Sequence, residues 1–230
     1  MMSNKELLAK AAAGKRAAEW VEDGMTVGLG TGSTAAMFIA ALGKRCLEGL
    51  RIQAVATSQA SAAQAVAAGI PLIAPDFLLV VDLTVDGADE VDPQHRMIKG
   101  RGGALLREKI IASMSREMVV IIDESKQVEQ LGLGVLPVEI VPFGHSATLA
   151  QLGMLGCQGA IRQTDKGAPY VTDNHNYIAD LTVPPALDIV YLDRALHAIP
   201  GVVETGFFFN LAGRIVVGYD DGHVNVLSPK

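Results

Sequence analysis

The sequence predicts an α/β protein: a doubly wound, mostly parallel sheet with a smaller inserted α+β domain. Three observations carry this expectation. Between Met25 and Asp123, short β-branched apolar runs alternate with Ala-rich helical stretches, the pattern of repeated βα units. Hydrophobic residues make up 50% of the chain but aromatics only 5%, which implies a core of Ala, Val, Leu and Ile typical of packed α/β layers. After Lys126 the texture changes to strands and helices that suggest an inserted α+β module, without a low-complexity linker.

Lys5 to Val21 has helical spacing (Leu8, Ala12, Ala18, Val21) and stops before the turn signal Asp23-Gly24. Met25 to Leu29 is a short β run, and a helical stretch from Ala35 to about Leu42 follows a Gly-Ser-Thr loop. Arg51 to Ala56 reads as a strand, Ser58 to Ala68 as a helix, and Leu72 to Ala74 as a short strand. The apolar run Phe77, Leu78, Leu79, Val80, Val81 and Leu83 reads as a buried central strand, Leu78 to Val85. Ala104 to Met114 is expected to be helical and Met118 to Asp123 a strand.

The inserted module is expected to hold a strand at Leu136 to Val141, a helix at Ser146 to Leu155, strands near Gln158 to Gln163 and Tyr170 to Asp180, and a helix from Ala186 to Ala198. Gly201 to Phe209 and Arg214 to Leu227, broken at Asp220-Asp221-Gly222, look like closing strands. The last of these is expected to return to the first sheet. The domains are then 1–130 plus 203–230, a Rossmann-like catalytic domain, and 131–202, a smaller α+β domain.

Composition excludes several classes. A formal charge of −6 with no basic run argues against nucleic acid or an anionic membrane as partner. The N-terminus MMSNKELLAK lacks a signal-peptide apolar core and no run is long enough to span a bilayer, so a cytoplasmic location is expected. Cys46 and Cys157 stand far apart without a CxxC and read as reduced core thiols.

The chemistry concentrates in two places. Gly28-Leu29-Gly30-Thr31-Gly32-Ser33-Thr34 lies between a strand and a helix, where glycines allow close approach, hydroxyls donate and a helix N-terminus offers amides. Ser33 stands where the third Gly of GxGxxG belongs and no Gly-Lys-Ser/Thr follows, so a phosphomonoester fits better than a nucleotide. A plain strand-to-helix turn is the alternative reading.

The second place is Asp82 to Ile110. Asp86 and Asp89 bracket Gly87-Ala88 at the end of the central strand, where ligands collect in open α/β sheets. An Asx-turn or N-cap pair also fits. The cluster Asp86, Asp89, Glu90 and Asp92 lacks a His or Cys and the EF-hand spacing, so no metal is expected. Lys99 lies in a Gly-rich turn (Gly100, Gly102, Gly103) and reads either as a site cation or as an ion-pair partner of Asp86 or Asp89. The helical neighbours of Glu108 at three and four residues are Ala104, Leu105, Ile111 and Ala112, all apolar. Desolvation on such a face suits a general base working near neutral pH, and a buried acid satisfied by Lys99 is the alternative.

These pieces occur together with Met97-Ile98-Lys99-Gly100, Leu106-Arg107-Glu108-Lys109-Ile110, Asp123-Glu124-Ser125-Lys126, Leu136-Pro137-Val138-Glu139 and Val171-Thr172-Asp173-Asn174. In order and approximate spacing the set resembles ribose-5-phosphate isomerase of the A type, over nearly the whole chain. The resemblance implies cofactor-free interconversion of ribose 5-phosphate and ribulose 5-phosphate through an enediolate. It implies Glu108 as general base, with Asp86, Asp89 and Lys99 also catalytic. It further implies that substrate is held by Thr31, Gly32, Ser33, Thr34, Asp86, Gly87, Ala88, Asp89, Lys99, Gly100, Arg101, Gly102 and Lys126. Lys10 joins them at the usual distance before the loop, with Lys5 and Lys15 nearby. Arg101 and His175 depart from the pattern, each standing where Gly is common. A homodimer or homotetramer is implied, and the apolar run Phe207 to Phe209 reads as interface or core.

Two other functions fit the sequence less well. A sugar-phosphate sensor that binds without reacting would normally carry a basic DNA-reading segment, and none is visible. Acyl-CoA transfer through a glutamyl nucleophile would need a longer chain for its two substrates.

Overall fold

The computed structural model describes residues 3–184 and 187–228. In chain order its elements are α1 (Asn4–Ala18), β1 (Thr26–Leu29), α2 (Ser33–Leu47), β2 (Gln53–Ala56), α3 (Gln59–Ala67), β3 (Leu83–Asp86), β4 (Glu90–Val91), β5 (Met97–Ile98), α4 (Leu105–Ser113) and β6 (Met118–Asp123). They continue as β7 (Val135–Ile140), α5 (His145–Met154), β8 (Gly159–Ile161), β9 (Tyr177–Thr182), α6 (Ile189–His197), β10 (Val202–Thr205), β11 (Phe207–Phe208), β12 (Ala212–Gly218) and β13 (Val224–Leu227). Single 3₁₀ turns occupy Pro75–Phe77 and Glu124–Lys126.

The chain divides into two compact units: 1–88, 107–127 and 210–230 form the first, and 89–106 and 128–209 the second. The first unit holds a six-stranded sheet in the order β13-β12-β6-β3-β1-β2, parallel throughout except for the edge strand β13. This is the doubly wound α/β arrangement, and the last two strands do return to it. Helix α1 starts at an N-cap, Ser3, whose hydroxyl accepts from Glu6 N at 3.1 Å. It then presents Ala9, Ala13, Gly14 and Ala17 to the core. A Cβ at Gly14 would lie 2.6 Å from Phe38 N, so glycine lets α1 lie directly against the start of α2.

The second unit contains an antiparallel sheet ordered β10-β7-β9-β8 and a small one ordered β11-β5-β4. Its core joins Leu136, Val138 and Ile140 of β7 to Leu152 of α5, Leu192 and Leu196 of α6, and Phe207. Phe207 and Phe208 are therefore core residues, at 1% and 0% exposure. The boundaries differ from the 131–202 module read from sequence. Residues 89–106 group with the second unit because β5 pairs with β11 and Lys99 N donates to Gly206 O at 2.9 Å.

The apolar run before β3 corrects a second expectation. The strand begins only at Leu83, and Phe77, Leu79 and Val80 are 80%, 93% and 46% exposed. The ladder explains this: β1 begins at Thr26 and pairs with β3 from Leu83 onward, and residue 81 makes a single bridge to Ser115. Residues upstream lack neighbouring strands, so hydrophobicity alone cannot make them a ladder. Leu72 likewise makes one bridge, to Ala54. The expected start of the last helix at Ala186 lies outside the described residues, and the helix seen starts at Ile189 with Asp188 as N-cap. Cys46 and Cys157 are free, and burial pushes both thiols up.

At the end of α6, His197 Nε2 lies 2.8 Å from Glu204 Oε1, and its Nδ1 is 2.9 Å from Asp193 O. The Glu204 hydrogen bond is the main cause that raises its pKa above 6.5. A raised pKa means that protonation favours the fold. With the carboxylates ionised, the contribution is complete below about pH 6.5 and is lost as pH rises through the folded value. In urea titrations, His197→Gln is expected to be less stable than the parent at pH 6, with the gap narrowing by pH 9. A gap independent of pH would contradict this assignment.

Candidate active site

The first unit carries its candidate residues where β1 and β3 run side by side. From β1 the chain proceeds through α2 to β2 on one flank, whereas β3 is followed in the sheet by β6 on the other. Such a divergence opens a crevice at the strands' carboxyl ends. Gly30 N donates to Val85 O at 2.9 Å, and Asp86 Oδ1 accepts from Thr31 N at 3.1 Å and Gly87 N at 2.7 Å. Two amides thus fix the orientation of a carboxylate that is fully buried. A Cβ on Gly30 would lie 2.1 Å from Asp86 Oδ1 and 2.6 Å from its Cα, so glycine is what permits this approach.

Gly32, at φ +105°, begins α2 without a side-chain cap. The first-turn amides of α2 therefore point outward beside the Ser33 and Thr34 hydroxyls, a ready anion site. Lys10 is only 5% exposed, and its Nζ reaches Ser33 Oγ at 3.0 Å, Glu6 Oε1 at 2.5 Å and Asp123 Oδ2 at 4.0 Å. Lys5 instead pairs with Asp220 at 2.7 Å, so the helix register places Lys10 at the loop. Glu6 is held below the usual carboxylate range, first by its hydrogen bond to Lys10 and with a smaller contribution from the charge of Lys126. The Thr31 hydroxyl lies within 2.8 Å of both Thr57 Oγ1 and Ser58 Oγ, and Ser61 Oγ donates to Gly30 O at 2.6 Å. These hydroxyls brace the loop.

Glu108 lies on α4 and is 3% exposed, and Ala104, Leu105, Ile111 and Ala112 are all buried as well. The acid on an apolar face is thus a property of the folded helix.

The second unit holds the other candidates. Lys99 is 3% exposed, with Nζ 5.5 Å from the centre of the Phe208 ring. The turn after it closes with Gly103 N donating to Gly100 O at 2.9 Å. Gly100 adopts φ +113°, and a Cβ there would stand 2.7 Å from Leu105 Cδ2. Asp89 Oδ2 accepts from Arg101 N at 3.0 Å, and the half-exposed Arg101 side chain brings Nε to 4.0 Å from Asp89 Oδ1. Arg101 thus has an anionic partner next to it in the turn.

The neighbouring acids have different employment. Both oxygens of Glu90 accept backbone amides, from Gly132 and Gly134, each at 2.7 Å. Asp92 accepts from Gln94 N, Arg96 N and Arg96 Nε, the last at 2.6 Å. Glu90 therefore anchors the 132–134 loop before β7, and Asp92 shapes the β4–β5 hairpin.

Of the residues singled out from sequence, Lys10, Thr31 to Thr34, Asp86 to Ala88, Glu108 and Lys126 belong to the first unit. Asp89 and Lys99 to Gly102 belong to the second. Glu6, the Thr57, Ser58 and Ser61 hydroxyls, Arg162 and Tyr170 were not anticipated. Only Glu6 had a legible signal, its i,i+4 spacing to Lys10 on a helix.

Residues 53–222 match the profile of the family described as ribose 5-phosphate isomerase A (phosphoriboisomerase A). The chain is 49% identical over 221 residues to ribose-5-phosphate isomerase A of Protochlamydia amoebophila, covering 96% of this chain and 95% of that protein. The solved ribose 5-phosphate isomerase A of Methanocaldococcus jannaschii superposes with a TM-score of 0.91 at 39% identity, covering 98% of this chain and 100% of the other. A D-ribose-5-phosphate isomerase solved in complex with phospho-erythronic acid superposes with a TM-score of 0.92 at 38% identity, over 99% of this chain and 100% of that one.

Proposed function

The chain belongs to the ribose 5-phosphate isomerase A family, and on that premise we propose that it interconverts ribose 5-phosphate and ribulose 5-phosphate with Glu108 as general base. The observation that carries the assignment is a glutamate 3% exposed on a helix whose positions three and four residues to either side are buried and apolar. In the open-chain aldose, Glu108 takes the proton from C2 and an enediolate forms. The same carboxyl returns a proton to C1, while O1 gains a proton and O2 loses one, so the balance closes without a redox cofactor.

Lys99 stabilises negative charge developing on the sugar oxygens. Asp86, oriented by the Thr31 and Gly87 amides, moves protons between O1 and O2 or assists ring opening, and Asp89 supports the same end of the sugar. Phospho-erythronic acid, present in a relative's structure, carries a planar carboxylate beside a phosphorylated chain, the shape an enediolate presents. The phosphate is assigned to the α2 N-terminus, Ser33, Thr34, Lys10 and Lys126.

Phosphate contacts made equally in ground and transition states affect KM rather than kcat. Lys10→Met is expected to raise KM roughly 10- to 100-fold, the value of a charged hydrogen bond, with kcat nearly retained. A fall in kcat at unchanged KM would count against Lys10 as a phosphate ligand. The base assignment is tested by steady-state assay of Glu108→Gln with ribose 5-phosphate and no additives, following ketose formation. On the family resemblance we also infer a homodimer or homotetramer acting in the cytoplasm. Among the described residues no helix is long and apolar enough to cross a membrane.

A further inference from the structure

The turn after Lys99 is glycine-rich, and such a segment has no intrinsic preference for one set of peptide orientations. Besides its own closing bond, Gly103 N to Gly100 O at 2.9 Å, it is held from the β8–β9 hairpin of the same unit. Arg162 Nη1 donates to Gly100 O at 3.0 Å and to Arg101 O at 2.9 Å. The next carbonyl, Gly102 O, accepts from Tyr170 Oη at 3.3 Å. Arg162 is itself gripped: its Nε and Nη2 donate to Asp180 Oδ2 and Oδ1 at 2.8 and 2.5 Å, a two-point carboxylate contact. Its side chain is only 15% exposed.

A trans peptide places its C=O and N–H on opposite sides. Two carbonyls turned toward Arg162 therefore turn the amides of Arg101 and Gly102 away from it. The Arg101 amide does end on Asp89 Oδ2, at 3.0 Å. The arginine fork thus helps to fix the direction of the two peptide dipoles that follow Gly100, just after Lys99.

We propose that Arg162, locked by Asp180, is a positioning residue for the isomerisation. It holds the Lys99 to Gly102 turn so that the Lys99 ammonium and the Gly102 amide face the substrate's oxygens. The inference rests on the reading in which Lys99 acts on the substrate. A lysine at 162 carries the charge but cannot grip Asp180 at two points and two carbonyls at once.

The test compares Arg162→Ala, Arg162→Lys, Asp180→Asn and Lys99→Met with the parent, recording kcat, KM and melting temperature. For Arg162→Ala, kcat is expected to fall roughly 10- to 100-fold, the cost of a small misplacement of catalytic groups. KM should stay within a few-fold, because the phosphate ligands lie elsewhere. Millimolar guanidinium should restore part of the lost kcat, and Arg162→Lys should not. If Arg162→Ala does not fold, Asp180→Asn serves, with a smaller loss in kcat alone. Full kcat in folded Arg162→Ala or Asp180→Asn, with Lys99→Met inactive, overturns the inference while leaving the role of Lys99 intact. Losses that follow melting temperature without guanidinium rescue overturn it too. An active Lys99→Met removes the underlying reading and the inference together.

Discussion

Glu108→Gln is expected to lower kcat by about 10²- to 10⁴-fold, the range supplied by a positioned proton-transfer group, while sugar-phosphate affinity stays within a few-fold. The substitution keeps shape and hydrogen-bonding length, so the buried face of α4, with Ile111 at 2% and Ala112 at 3% exposure, remains packed. What is lost is the ability to take up a proton. Binding measured by titration calorimetry should therefore persist when turnover has gone, and the melting temperature should move little. Lys10→Met has the opposite signature, lost affinity with retained kcat. Near-normal turnover in Glu108→Gln would refute the base assignment.

The second large effect is expected from Gly30→Ala. A Cβ there would stand 2.1 Å from Asp86 Oδ1, 2.3 Å from Cγ and 2.6 Å from Cα. The carboxylate could rotate aside, but the Cα belongs to β3 and can yield only if the strands separate. Separation would break the Gly30 N to Val85 O bond of 2.9 Å and the Thr31 N to Asp86 Oδ1 bond of 3.1 Å. Overpacking of this kind costs about 1–3 kcal/mol and sometimes more, which in a chain of this size lowers Tm by about 2–4 °C per kcal/mol. Activity should fall further than stability, because the same shift misaligns Asp86 and the start of α2. A Gly30→Ala enzyme with parental Tm and kcat would mean that the approach of loop to strand is not required.

Much of this architecture is legible in the amino-acid pattern. The strand at Met118 to Asp123 coincides with β6, because six buried apolar and acidic positions in a row leave a parallel central strand as the natural reading. The site segments were legible because their charged residues interrupt apolar sequence, and folding buries Asp86, Lys99 and Glu108 to 0%, 3% and 3% exposure. The run Phe77 to Val81 misled for the converse reason. Hydrophobicity marks residues able to enter a sheet, but only neighbouring strands make one, and Leu79 ends up 93% exposed.

Long-range polar pairing left no trace in the pattern. Arg162 meets carbonyls 61 and 62 residues away, and nothing in the local sequence of either segment marks the partnership. The same holds for the unit boundaries. The chain crosses between units at 88/89, 106/107, 127/128 and 209/210, beside or within motifs that look continuous in sequence.

A crystal structure of Glu108→Gln with unreacted ribose 5-phosphate bound tests the central assignment most directly. The side-chain amide of residue 108 is expected within about 3–3.5 Å of C1 and C2, the separation of a near-attack arrangement, with the phosphate at the start of α2. Finding residue 108 remote from both carbons, with another group at that distance, would contradict it.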